Sequence, residues 1–301
     1  MSSVKTISQE AQPLAGKPRR KKRSPWAEVW RRLKKNKAAL FGLTIICILF
    51  ILAIFADYIA PYGFDDQDLL ARFQTPNSKH LLGTDNFGRD ILSRIIYGSR
   101  ISLQVGFIAV SIAMICGGTL GSIAGYYGGR LDNFIMRIMD ILLAIPGILL
   151  AISIVAALGP GLRNVMIAVG IGSIPSYARI VRASVLSLRD QEFIEAAKAV
   201  GANDFRIITK HIIPNSMAPI IVQATIGVAN AILSAAGLSF IGLGIQPPQP
   251  EWGAMLNNGR QFIRDYSHMT AFPGLAIMIT IFALNLLGDG LRDALDPRLK
   301  S

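Results

Sequence analysis

Residues able to do chemistry are few in this chain and stand far apart. His80, His211 and His268 lie in unrelated contexts, the patterns HExxH and GxSxG are absent, and Asp289, between Gly288 and Gly290, has no second acidic residue in its apolar run to make an acid pair. No catalytic residue is assigned on these grounds. Cys47 and Cys116 both fall inside apolar runs without ligand-spaced neighbours and read as small buried hydrophobes, not as a disulfide or metal pair. The segment His80–Asp90 (HLLGTDNFGRD) has the Gly, Thr and Asp content of a phosphate loop, but GxxxxGK[S/T] occurs nowhere, so ATP is not bound by that route. No cofactor and no metal are expected on this chain.

One stretch carries organised polar spacing. Residues 190–215, DQEFIEAAKAVGANDFRIITKHIIPN, read as a helix-turn-helix set between long apolar runs. Phe193, Ile194, Ala197 and Val200 fall on one helical face, with Gln191, Glu195 and Lys198 around the rest. Asp190 is the expected N-cap, and Gly201 follows the last periodic residue, where a left-handed cap favours a residue without Cβ. Asn203 is expected to cap a second short helix carrying Phe205, Ile208 and Ile212 on one side, and Pro214 to stop it.

The elements that position this stretch are membrane spans. Of 301 residues, 51% are hydrophobic and the mean hydropathy is +0.44, too apolar for a soluble protein of this size. A net charge of +12 does not mean nucleic acid, because residues 1–37 hold twelve Lys/Arg and two Glu, leaving 19 basic against 17 acidic residues elsewhere. Residues 1–25 are expected to be a disordered basic tail. In 26–37, Trp26, Val29, Trp30 and Leu33 recur at helical spacing opposite Arg31, Arg32, Lys34 and Lys35, an amphipathic helix suited to lie on the lipids of an anionic inner leaflet.

Ala38 to Ala56 is nineteen residues without a charge, an uncleaved first span within 38–60. A polar, extracytoplasmic segment follows over 61–100, and a core of five further spans over 101–290: approximately 102–125, 138–158, 165–183, 218–243 and 270–288. Gly117, Gly121 and Gly125 make a close-packing surface, and Pro146-Gly147 and Gly170, Gly172 and Pro175 permit bends. Residues 291–301 form a final cytoplasmic tail. With the N-terminus inside, inner segments hold 23 Lys/Arg and outer ones eight, which puts both termini and the 190–215 loop in the cytoplasm.

No span carries a central acidic residue, which weakens the rival reading, an ion-coupled secondary transporter or channel. Asp140 and Asp289 are expected to pair with Arg137 and Arg292 near inner helix ends. Ser111, Ser153, Ser173, Gln223, Thr225, Asn230 and Asn285 are candidates to line a solvated path, or to bond neighbouring helices.

The residues also carry a family resemblance. Glu195-Ala196-Ala197, then Gly201, then Ile213-Pro214, is similar to the EAA loop of ABC importer permeases, with His211 and Ile213 where that pattern usually has Ile and Leu. Residues 80–90, Ser93-Arg94 and 98–103 are similar to the segment before the second span in C-type permeases of the dipeptide, oligopeptide and nickel family. The resemblance implies an all-α, six-span, MetI-like type I permease of a peptide importer in a bacterial inner membrane. It also implies partners: a homologous B-type permease, two ATPase subunits carrying ATP and Mg, and an extracytoplasmic binding protein. Glu195, Ala196, Ala197, Gly201, Ala202, Phe205, His211 and Pro214 would then couple to the ATPase.

Overall fold

The computed structural model describes residues 25–295. The basic tail before residue 25, residues 296–301 and the side chain of Trp26 lie outside the described residues. Thirteen α-helices make up most of the described chain, and no β strand occurs among the described residues beyond an isolated antiparallel bridge between Thr84 and Asp90. Helices α1 (Pro25–Leu33), α2 (Lys37–Ile54), α3 (Ala56–Ile59), α4 (Ile91–Tyr127), α5 (Gly129–Ala144), α6 (Gly147–Leu158) and α7 (Leu162–Leu188) form the first part. Helices α8 (Glu192–Ala199), α9 (Asp204–Ile207), α10 (Ile213–Asn215), α11 (Met217–Phe240), α12 (Trp252–Gly259) and α13 (His268–Leu295) complete it.

Five helices, α2, α4, α7, α11 and α13, are long and apolar enough to cross a membrane. The sixth expected span is not one rod. It is the pair α5 and α6, bent by 90° across Ile145-Pro146, because Pro146 has no N–H for a helical bond and holds Ile145 extended. Large apolar side chains such as Phe41, Ile51, Ile115, Phe134 and Met278 stay exposed on the outside, as a lipid-facing surface requires.

The most extensive helix contact is α4 against α7. It rests on the glycine surface of α4: a Cβ at Gly117 would stand 2.5 Å from the Ile174 carbonyl oxygen, so only glycine lets the two backbones meet. Helix α13 packs against α2 and α11, and Val29 and Leu33 of α1 rest on Leu287, Leu291 and Ala294 of α13. Trp30 stays half exposed with the Lys34 Nζ 5.0 Å from its ring centroid.

Residues 91–100, polar by composition, belong to α4 and not to a loop. Their charges are satisfied locally. Arg94, 2% exposed, donates to the Phe64 carbonyl at 2.7 Å and to that of Pro248, joining two distant loops. Arg100 donates to the Ala53 carbonyl at 2.8 Å, closing the end of α2, and pairs with Asp57 at 3.1 Å. Asp90 caps α4 by accepting from Ser93 N at 2.8 Å and also bonds His80 Nδ1 at 3.0 Å. The segment 80–94 is thus a polar knot that fixes how the loops around Phe64 and Pro248 sit on the spans.

Candidate functional site

Helices α8, α9 and α10 project from the membrane end that carries α1 and the C-terminus of α13. The N-cap of α8 is Gln191, whose side chain donates back to the Ser187 carbonyl and makes no capping bond, and not Asp190, which pairs with Arg189 at 3.3 Å. Ile194 and Ala197 are buried against Val181 and Val185 of α7 and against Ile207, Ile212 and Ile220. Phe193 and Val200, expected on that same face, are 42% and 85% exposed. The buried stripe is therefore narrower than the apolar pattern, and the surplus apolar groups face outward.

The turn is a Schellman motif. Gly201 N donates to the Lys198 carbonyl at 2.9 Å and Ala202 N to the Ala197 carbonyl at 3.0 Å, with Gly201 at φ +80°. Nothing lies within 4 Å of a Cβ built on Gly201, so its requirement is one of dihedral angle and not of space. Asn203 caps α9 as the sequence suggests, its Oδ1 accepting from Arg206 N at 2.9 Å. Asp204 accepts from the Tyr126 hydroxyl at 2.7 Å, and Lys198 Nζ lies 5.7 Å from the Tyr126 ring centroid. The end of α4 therefore grips both halves of the turn through one tyrosine.

Pro214 does not stop the second helix. Residues 208–212 form a π turn, closed by Ile213 N donating to the Ile208 carbonyl, and α10 and α11 continue from it almost without interruption. Pro214 sits in the first turn of α10, where its missing N–H is tolerated. The wider π turn also shifts the register. Ile207 and Ile212, five apart, are the fully buried pair, while Ile208 is half buried and Phe205 is 77% exposed, contrary to the face predicted from regular spacing.

Phe193, Ala196, Ala197, Val200, Gly201, Ala202, Arg206 and His211 line one open hollow of about 570 Å³. Five of the eight residues proposed from sequence meet there: Ala196, Ala197, Gly201, Ala202 and His211. Phe205 and Pro214 are outside its lining. Glu195 is exposed and makes no bond or ion pair among the described residues, so it does not cap or pair locally. Chemically the surface offers exposed apolar side chains, Phe193 and Val200, around an open hollow of mixed polarity to which Arg206 and His211 also contribute.

Two strong ion pairs brace the same end. Asp132 of α5 accepts from Arg182 of α7 at 2.5 and 2.6 Å, and Asp140 from Arg179 at 2.6 Å. Asp140 thus pairs across to α7 and not with Arg137, and Asp289 is exposed without an ion pair among the described residues. The path candidates do not bond one another. Ser111, Ser153, Ser173 and Thr225 return their hydroxyls to the carbonyl four residues earlier in their own helices, the Gln223 carbonyl accepts from Tyr177 at 3.2 Å, and Asn230 and Asn285 are exposed.

Comparison with known proteins fits this architecture. Residues 117–301 match the family described as binding-protein-dependent transport system inner membrane component, and residues 24–76 match the N-terminal transmembrane domain of oligopeptide transport permease C. The dipeptide transport system permease protein DppC of Alkalihalophilus pseudofirmus is 55% identical over 92% of this chain and 91% of its own length. The glutathione transport system permease protein GsiD of Pectobacterium atrosepticum is 49% identical over 93% of each chain. Among solved structures, a permease chain of the inward-facing MetNI methionine ABC transporter superposes with a TM-score of 0.57 at 20% identity, over 68% of this chain and 98% of that one, a likeness of fold. A chain assembled as six apolar segments around a helix-turn-helix, and related along nearly its whole length to such permeases, belongs to the family of binding-protein-dependent transport system inner membrane components of the ABC importers.

Proposed function

We propose that this chain is the C-type permease of a bacterial ABC importer for small peptides, in which the α8–α10 surface docks on an ATPase subunit. The observation that carries this reading is the exposed apolar Phe193 and Val200 lining the 570 Å³ hollow, with Phe205 exposed on α9 beyond it, on a chain without a nucleotide-binding motif. Such a surface needs a protein partner. The partners are a homologous B-type permease, two ATPases that hold ATP and Mg, and an extracytoplasmic binding protein that delivers the solute.

Glu195, Ala196, Ala197, Gly201, Ala202, Phe205, His211 and Pro214 are the coupling residues. ATP-driven closure of the ATPases moves α8 and α9 as one body, and Tyr126 and the Arg182–Asp132 pair pass that motion to α4, α5 and α7. The excess of Lys and Arg at this end supports a cytoplasmic placement for it and for both termini, with α1 resting on inner-leaflet lipid. A peptide substrate is supported by the two relatives, named for dipeptides and for glutathione, itself a small peptide.

The test is uptake of a labelled dipeptide by vesicles containing the assembled complex. The reading expects uptake to stop without internal ATP and to survive collapse of the proton gradient. Uptake that follows the gradient and ignores ATP would refute it.

A further inference from the structure

The corner of the bent span is bare. Every residue from Leu143 to Leu149 is exposed, and nothing lies within 4 Å of a Cβ placed on Gly147. The corner is also irregular. Ile145 is extended, Pro146 caps α6 without a side-chain bond, and neither the carbonyls of the last turn of α5 nor the amides of Gly147, Ile148 and Leu149 bond any other element among the described residues.

Its depth follows from α6. That helix has 12 residues and runs back from the outer loop at Gly159 along α7. At about 1.5 Å per residue the corner is about 18 Å below the outer end, inside a hydrocarbon core about 30 Å thick. Counted in the same way from Leu162, residues 172–174 of α7 stand at about that depth, and a Cβ on Gly172 would also meet nothing within 4 Å.

Unbonded backbone groups do not face lipid at this depth, since hydrocarbon offers them no partner. They need water, and among the described residues no element closes over them to hold it. We infer that the corner Leu143–Leu149 is one wall of a water-filled translocation path whose opposite wall is a second permease, and that its free carbonyls and amides solvate a passing solute of peptide-like polarity. The inference rests on the functional reading above, and adds to it the segment of this chain that meets the solute.

The experiment uses the complete complex in vesicles, with Cys47 and Cys116 replaced by alanine. Ile145→Cys and Gly147→Cys are each compared with Ile51→Cys, an exposed position on α2. A charged, membrane-impermeant methanethiosulfonate is expected to modify either corner cysteine at least tenfold faster than Ile51→Cys and to block uptake. Benzophenone-4-maleimide attached to either corner cysteine is expected, on irradiation, to insert into a C–H bond of the second permease. Modification no faster than at Ile51→Cys, with reaction only toward lipid-soluble N-ethylmaleimide, would overturn the inference. A chain that purifies without a second permease would refute the functional reading instead, and the same two reagents on that chain would still separate a wet corner from one in lipid.

Discussion

Replacing Gly201 probes the turn on which coupling depends. Its φ of +80° is left-handed, and a side chain there costs about 1–2 kcal/mol, because Cβ crowds the following carbonyl. The turn is held by only two Schellman bonds, from Gly201 N and Ala202 N, so a cost of that size lowers its population about 5- to 30-fold. Open space around the position means Gly201→Leu does not disturb packing within the chain, and membrane insertion and purified yield should be unchanged. Gly201→Asn is the control, since Asn enters the left-handed region more readily than other side chains. The assay is ATP hydrolysis by the reconstituted complex, stimulated by solute-loaded binding protein, beside dipeptide uptake. Gly201→Leu should lose most uptake and stimulation while Gly201→Asn keeps most of both. Normal uptake in Gly201→Leu would refute the claim that this turn conformation transmits the ATPase motion.

Removing Arg182 leaves Asp132 buried and unpaired. Arg182→Leu should lower the melting temperature of the purified complex, by a free energy near the lower end of about 3–5 kcal/mol because Arg182 itself is partly exposed; a melt within error of wild type would count against the brace. Thr84 is fully buried, donating to the Ala71 carbonyl and accepting from Gln74 N. Thr84→Val orphans both groups, at about 1–3 kcal/mol each, and should open residues 60–90 to limited proteolysis from the outer face. Burial raises the pKa of the Glu251 carboxyl above its ordinary value even though Gly253 N and Ala254 N donate to it. The folded protein therefore binds that proton more tightly than the unfolded one, so the contribution of Glu251 is fully present below pH about 4.3 and is lost as pH rises through the raised value. Glu251→Gln should flatten the stability profile where it falls with pH above the ordinary carboxyl pKa, and an unchanged slope would argue against it.

Much of this architecture was legible in residue order. Uncharged runs as long as Ala38–Ala56 have few fates other than a span, and Gly201 and Asn203 announce a cap and a start by conformational preference alone. Gly117, Gly121 and Gly125 likewise mark a close approach wherever their partner lies. What stayed hidden depends on partners distant in sequence or on a local change of helical period. Asp140 finds Arg179, 39 residues away, in preference to the nearer Arg137, and Tyr126 reaches Asp204 across 78. A π turn at 208–212 moves Phe205 outward, and no spacing rule at about 3.6 residues per turn anticipates it. Residues 91–100 read as loop because Arg94 and Arg100 are charged, yet each finds backbone carbonyls that let the helix begin early. Tyr126-Tyr127 before Gly128-Gly129, an aromatic pair at a helix end, was the available signal for the missed anchor.

The central claim is that the α8–α9 surface meets an ATPase. It is tested most directly by Val200→Cys, 85% exposed at the rim of the hollow, in a background lacking Cys47 and Cys116. The cysteine in the complete complex would be labelled with benzophenone-4-maleimide and irradiated, with and without a non-hydrolysable ATP analogue, and the joined chains identified by mass spectrometry. The account predicts one dominant product, this chain linked to an ATPase subunit, with a yield that changes when the nucleotide binds. A cysteine at Val200 that links to no ATPase in an intact, ATP-hydrolysing complex would contradict it.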